Sequence, residues 1–236
     1  MSVRAIPILF CVAVPVLLHA QSSPAPAGPA SPAPPPTAIS NERILHIIPN
    51  FQAVSDPTVP YAPLRVRDKW WLFVKETVDP FTFASSAAGA ALSQWHNTAP
   101  KYGYGTVPYF QRFGAAEADV TTQNLFSDAL LASLLHEDPR YFRRGSGFTI
   151  LYRVGYAISR VVIIRKDSGR NGFSYSGIVG TSMGIALSNA YYPPKSVNGE
   201  EMGSRMLTSL SAGAIGNLLP EFWPDVKAKL DRLRHR

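Results

Sequence analysis

For residues 39–236 the sequence predicts an all-α fold, a compact bundle of about six or seven helices, and three observations carry that expectation. Apolar residues recur at helical spacing over several long stretches. Asp-Pro pairs and glycines punctuate those stretches where helices start or stop. Three stretches place small residues three or four apart, the spacing that lets helix backbones approach closely. No run of short alternating strands with paired turn signals occurs, which disfavours a sandwich or barrel. No strand, Gly-rich loop and helix follow one another as a nucleotide-binding α/β unit requires.

Taken in order, residues 39–66 hold Pro49, Pro57, Pro60 and Pro63 and predict an extended arm. Its apolar cluster Ile44, Leu45, Ile47, Ile48 and Phe51 is expected to pack onto the body. Asp68 is placed to cap a helix carrying Trp70, Trp71, Phe73 and Val74. Asp79-Pro80 reads as the cap and first position of a helix reaching about Trp95. The longest predicted helix runs from Tyr109 to His136 and stops before Pro139, which cannot continue it. Residues 148–166 read as a helix, although the β-branched run from Val161 to Ile164 keeps a strand open there. Asp167-Ser168-Gly169 is a turn. Ser174 or Ser176 can cap a helix to about Tyr191, a further helix spans about 198–219, and a last one begins near Pro220 or Pro224.

The small-residue stretches are Ala84 to Ala91, Gly177-Gly180-Gly184-Ser188, and Ser209 to Gly216. Glycine weakens a helix by about 1 kcal/mol relative to alanine, so glycines inside helices call for close contact. Segments 80–100 and 171–194 contain no Asp, Glu, Lys or Arg. They also carry many Ser, Thr, Asn and Gln residues, which makes them poor membrane spans and leaves open whether they are membrane-embedded.

The N-terminal residues predict export. Arg4 followed by the apolar run Ala5 to Leu18 and the small Ala20 is the pattern of a signal peptide over residues 1–20. Residues 21–38, all Pro, Ala, Ser, Gly, Thr or Gln, cannot form a core and predict a disordered linker. The one cysteine, Cys11, falls in the leader, which excludes a disulfide scaffold and a Cys-based zinc site. The formal charge is +7, with 23 Lys and Arg against 16 Asp and Glu. For an exported protein that excess suits anionic headgroups better than nucleic acid, and Lys227, Lys229, Arg232, Arg234, His235 and Arg236 make the C-terminus basic.

The densest ionisable string is His136-Glu137-Asp138-Pro139-Arg140. An imidazole beside carboxylates can do acid–base work, so His136, Glu137, Asp138 and Arg140 are the catalytic candidates. The competing expectation is a structural corner, with Asp138 capping the turn and Tyr141 and Phe142 pinning the chain. Glu117, Thr121, Asn124 and Asp128 form one polar stripe, expected to face solvent or Arg153 and Arg160. No metal-ligand spacing and no cofactor fingerprint is present, so no metal and no cofactor is expected.

The strings RILHIIPNF, RFGAAEAD, LLHEDPRYF, KDSG, SNAYYP and EFWPD, read together, resemble a group of exported bacterial hypothetical proteins over roughly residues 42–228. That resemblance implies no particular fold, activity or catalytic residue. The functional expectation is therefore an exported, periplasmic or cell-envelope-associated protein, non-catalytic, that packs against a membrane surface, an envelope protein or a second copy of itself. The alternative is an exported hydrolase-like enzyme using His136, Glu137 and Asp138.

Overall fold

A computed structural model describes residues 39–234 except Val59 and Ala99; the predicted leader 1–20 and linker 21–38 lie outside the described residues, as do His235 and Arg236. The described chain is 62% helical, with six main helices. It is not all-α: strands make up 9%, in three small sheets. These strands are two to four residues long, too short to display the alternation that marks a strand in sequence.

The arm folds first on itself. Strands β1 (Arg43–Ile44) and β2 (Ile48–Pro49) pair antiparallel. Leu45 and His46 turn between them with positive φ. The turn turns the expected apolar cluster into two sets: Ile44 and Phe51 are buried, whereas Leu45 and Ile47 face solvent. Phe51 joins Leu64 and Leu72 in the core, with Ile39 against them. Strand β3 (Ala53–Val54) then runs parallel to β5 (Tyr141–Phe142), so the arm is stitched to the corner predicted after the long helix.

Helix α1 (Val66–Thr77) starts before Asp68, which sits in its first turn where a negative charge favours the helix dipole. Its Lys69 is fully buried; Nζ donates to the Ala132 carbonyl at 3.2 Å and to Asp167 at 2.8 Å. In α2 (Pro80–His96) Asp79 caps as predicted, accepting from Phe81 N at 2.9 Å, and Asn97 ends the helix in the left-handed conformation. Helix α3 (Thr106–Asn124) passes into a π-helical stretch, Leu125–Leu131, and a last turn α4 (Ala132–Leu134). The chain leaves it at His136, whose φ is 54°.

The 148–166 segment divides. Helix α5 (Ile150–Ser159) is capped by Thr149, and the β-branched run supplies strand β6 (Ile163–Lys166). Strand β6 is central in a three-stranded antiparallel sheet between β4 (Glu137–Asp138) and β7 (Asn171–Phe173). Helix α6 (Tyr175–Ser188) follows. A short 3-10 turn (Pro194–Ser196) leads to α7 (Gly199–Arg234), one helix of 36 residues where two were expected. Pro220 and Pro224 do not end it. Between them the Glu221 carbonyl accepts from Arg143 Nε at 2.9 Å and Arg153 Nη2 at 2.6 Å, which ties this part of the helix to the body.

The close contact predicted from small residues is made by α6. A Cβ on Gly180 would lie 2.5 Å from the Ser127 backbone nitrogen, and one on Gly184 would lie 2.6 Å from Gln123 Cγ. At Gly89 and Gly216 a Cβ would meet nothing within 4 Å, so those glycines are not explained by helix contact. Gly180→Ala should therefore destabilise by about 1–3 kcal/mol, the range for an overpacked core. Gly89→Ala should stabilise by about 0.5–1 kcal/mol, because only helix propensity changes there. Urea unfolding of the two variants beside the wild type measures the contrast.

Candidate functional site

The predicted catalytic string folds into a corner that scatters its members. The His136 side chain is 81% exposed, with Nδ1 3.8 Å from Asp167 Oδ2. Glu137 and Asp138 are fully buried and point to different partners. Glu137 Oε2 accepts from Ser176 N at 2.8 Å, so Glu137 serves as the N-terminal cap of α6 from another element. Ser174, at the cap position itself, makes no capping bond. Asp138 holds the buried Arg140 in a fork: Nε donates to Oδ1 at 2.9 Å and Nη2 to Oδ2 at 2.7 Å. Arg140 Nη2 also donates to the Ala62 carbonyl at 2.7 Å. Asp138 is thus the partner of a buried guanidinium and also makes the expected turn cap, with Oδ1 accepting from Arg140 N at 3.1 Å. His136, Glu137 and Asp138 do not converge on a reacting centre.

Beyond the corner lies a further buried carboxylate that sequence reasoning passed over. Glu221, on α7, is fully buried and accepts from Tyr141 Oη at 2.7 Å, Arg153 Nε at 2.7 Å and Arg144 N at 3.0 Å. Arg153 also pairs with Asp225 at 2.6 Å, and Arg143 with the other oxygen of Asp225 at 2.7 Å. Arg153 therefore does not face the polar stripe of α3, as expected, but is neutralised from α7. The EFWPD string carried the signal: two carboxylates one helical turn apart flank an aromatic, and the Arg153 guanidinium lies 4.4 Å from the Phe222 ring centroid.

The polar stripe itself faces inward. Asn124 and Asp128 line a cavity of about 250 Å³ with Gln52, Ser174, Ser176 and Asn217. Gln52 and Asn124 also line an adjoining cavity of about 440 Å³, whose wall includes Glu76. Between the two, Gln52 Nε2 donates to Glu76 Oε2 at 2.8 Å and to Asp128 Oδ2 at 3.0 Å. Ser127 Oγ donates to Asp128 Oδ1 at 2.8 Å. Burial pushes the Asp128 carboxyl up to about 6, against the opposing bonds from Ser127 and Gln52. Burial, and then the charge of Asp128, hold Glu76 well above the usual carboxylate range. Two carboxylates around one amide cannot both ionise cheaply, so the pair keeps a proton into the near-neutral range.

Asp128 sits in the π-helical stretch, whose wider turn needs room against its neighbour. Gly180 gives that room, since its absent Cβ would meet Ser127 N, Ser127 Cα and the Phe126 carbonyl carbon. Irregular helix of this kind recurs at functional sites, and a carboxyl pair with raised affinity for protons in a polar cavity is the chemistry such a site uses. No group of three or more metal-ligating side chains occurs among the described residues. No family model matches the chain, and no curated protein or solved structure matches it.

The carboxyl pair makes stability depend on pH with a definite sign. A raised carboxyl pKa means the folded chain holds a proton that the unfolded chain releases, so the stabilisation is full below about pH 4 and is lost as pH rises through about 6. Asp128→Asn should flatten that slope, gaining roughly 1–3 kcal/mol over the wild type at neutral pH, as read from urea midpoints between pH 4 and 8. Glu221→Gln should instead cost about 1–3 kcal/mol at neutral pH, because Tyr141 and Arg153 lose a charged acceptor while Arg153 keeps Asp225. His136→Ala should stay within about 0.5 kcal/mol of the wild type. Thermal melts followed by circular dichroism rank the three.

Proposed function

We propose that this is an exported cell-envelope protein that acts by packing, with no catalytic step, and that its helical body lies against the lipid membrane. One observation carries the reading: the helices are inverted, with small or charged residues inside and large apolar residues outside. In α6 the buried face is Ser176, Gly180, Gly184 and Ser188, with Ile185, and the outer face is Tyr175, Val179, Met183 and Leu187. In α5 the buried residues are Arg153 and Ala157, while Leu151 is 84% exposed. In α2 they are Ser86 and Ala90, while Trp95 is 80% exposed. A helix in water turns the opposite way, because each large apolar side chain left exposed forgoes about 1.5–3 kcal/mol of burial. Exposed apolar area on this scale marks an interaction face.

Lipid fits this outer face better than a second copy does. No described helix is long and apolar enough to cross a membrane, so the contact proposed is lateral, along helix faces. The end of α7 sets the exposed apolar Val226, Leu230 and Leu233 beside Lys227, Lys229, Arg232 and Arg234. Two copies meeting there would oppose like charges, whereas anionic headgroups would neutralise them. Export rests on the N-terminal sequence pattern and adds the compartment to this reading.

The chain without residues 1–20 should float with phosphatidylcholine vesicles containing phosphatidylglycerol, and its tryptophan emission should shift to the blue as exposed Trp71 and Trp95 enter the interface. The triple change Val179→Ser, Met183→Ser, Leu187→Ser should lower vesicle partitioning at least tenfold without changing the circular dichroism spectrum. A monomer that stays off vesicles of every composition would overturn the reading. A discrete oligomer that ignores lipid would transfer these faces to self-association.

A further inference from the structure

Three arginines converge on a cavity of about 210 Å³ walled also by Phe142, Phe148 and Tyr156. Arg143 is neutralised there by Asp225, which accepts from its Nη2 at 2.7 Å. Arg144 and Arg165 are different. Among the described residues neither guanidinium makes a hydrogen bond or an ion pair, and the Nε of each is buried without a partner. Both are nonetheless held in place by aromatic rings. Arg144 Cζ lies 4.5 Å from the Tyr156 centroid and 5.8 Å from that of Phe148. Arg165 Cζ lies 4.2 Å from the Phe142 centroid and 5.0 Å from that of Tyr61.

Buried donors are ordinarily satisfied, and buried charges are ordinarily paired. Arg144 and Arg165 are half-buried guanidiniums fixed on aromatic faces beside one cavity, and the buried Nε–H of each breaks the first of these rules. The one carboxylate among the lining residues, Asp56, is turned to its own loop, where Oδ1 accepts from Thr58 N at 2.8 Å and Thr58 Oγ1 at 2.7 Å. The excess of positive charge is felt next door: Arg160 is made less basic by burial first and then by Arg165 and Arg144. Its own guanidinium donates to a neutral amide, Asn171 Oδ1, at 3.1 Å.

We propose that this cavity is an oxyanion site that takes a phosphoryl group between Arg144 and Arg165. A planar carboxylate is served by a single guanidinium fork, whereas two guanidiniums from separate elements, the loop after β5 and strand β6, suit a tetrahedral anion with several free oxygens. The volume is below the roughly 300 Å³ at which drug-sized sites begin, which favours a headgroup-sized piece over a whole nucleotide. The phosphoryl group can belong to an anionic phospholipid or to a soluble phosphate monoester. The site does not depend on the membrane reading, and it deepens that reading only if the lipid is the source.

The test uses the whole exported chain with 15N-labelled arginine. Inorganic phosphate added at constant ionic strength should displace the Nε–H resonances of Arg144 and Arg165 together and saturably, and leave that of Arg143 in place. Arg144→Gln and Arg165→Gln should each weaken phosphate binding at least tenfold, and Arg165→Lys should weaken it less, because an ammonium keeps the charge and loses the fork. Glycerol 3-phosphate and phosphatidylcholine bicelles with and without phosphatidic acid separate the sources. Saturation by the ester, by the phosphatidic acid bicelles or by both upholds the site and names its ligand. Wild-type resonances that stay still with all three probes, or that move equally with acetate, overturn it. The wild-type titration decides the matter even if a glutamine variant fails to fold.

Discussion

A charge removed from water must be met by donors or by an opposite charge, and the segment from Glu137 to Gly145 is where most of this molecule meets that constraint. Glu137 reaches the amino end of α6, Asp138 reaches Arg140, and the Tyr141 hydroxyl reaches Glu221 on α7. The backbone of the same segment pairs with the arm through β3 and with the β6–β7 hairpin through β4. Nine residues thus tie together elements far apart in the chain. An apolar core of ordinary size would spread that task over many side chains. Here the fully buried side chains are mainly Arg, Lys, Glu, Asp and Ser, with Leu72 among the few large apolar ones. Ion pairs of this kind add less net stability than apolar packing, yet losing one partner is costly. That asymmetry favours a single arrangement over repacked alternatives.

The polar interior and the apolar exterior are two sides of one design. Once Gly180 and Gly184 are spent on close contact with the π-helical stretch and α3, and Ser176 and Ser188 are buried on the same face, the large residues of α6 have only the outside left to them. Close backbone approach also shapes the interior directly. Gly180 admits the wide turn at Ser127, and the next residue, Asp128, lies on the wall of a polar cavity, bridged by Gln52 to Glu76 in the adjoining one. The carboxyl pair and the inverted surface therefore share a cause in the placement of small residues.

Arginine takes three separate roles in this fold, set by what faces its guanidinium. Arg140, forked on Asp138, and Arg153, held between Glu221 and Asp225, are locked by carboxylates and act as internal struts. Arg112 is buried under backbone carbonyls, including that of Thr98 at 2.9 Å, and closes the loop between α2 and α3. Arg144 and Arg165 rest on aromatic rings with their donors idle. The residue type is the same in each case, and only the neighbours distinguish a strut from a ligand-facing group.

Local chemistry was legible in the sequence. The capping role of Asp79 before Pro80, the turn at Gly169 and the close contact along α6 each follow from a residue acting on its immediate neighbours or from a spacing along one helix, whereas the long helix ends at Leu134, before the left-handed His136, and not at Pro139. The same local rules failed where a distant partner intervened. They read Pro220 and Pro224 as a break, but α7 runs on through both, tied to the body by Arg143 and Arg153 at the Glu221 carbonyl. They expected the α3 stripe to face solvent or Arg153 and Arg160, whereas Asn124 and Asp128 line a cavity with Gln52, α6 residues and, of those two arginines, Arg160 alone. They kept a strand open only at the β-branched run that supplies β6, because the two- and three-residue strands exist only through their partners. They grouped His136, Glu137 and Asp138 by adjacency, whereas the turn at His136 and the strand after it send those side chains to solvent, to α6 and to Arg140. Sequence fixes what each residue can offer over a few bonds' distance. Which charge meets which across the chain is a matter of three-dimensional proximity, and tertiary structure alone decided it.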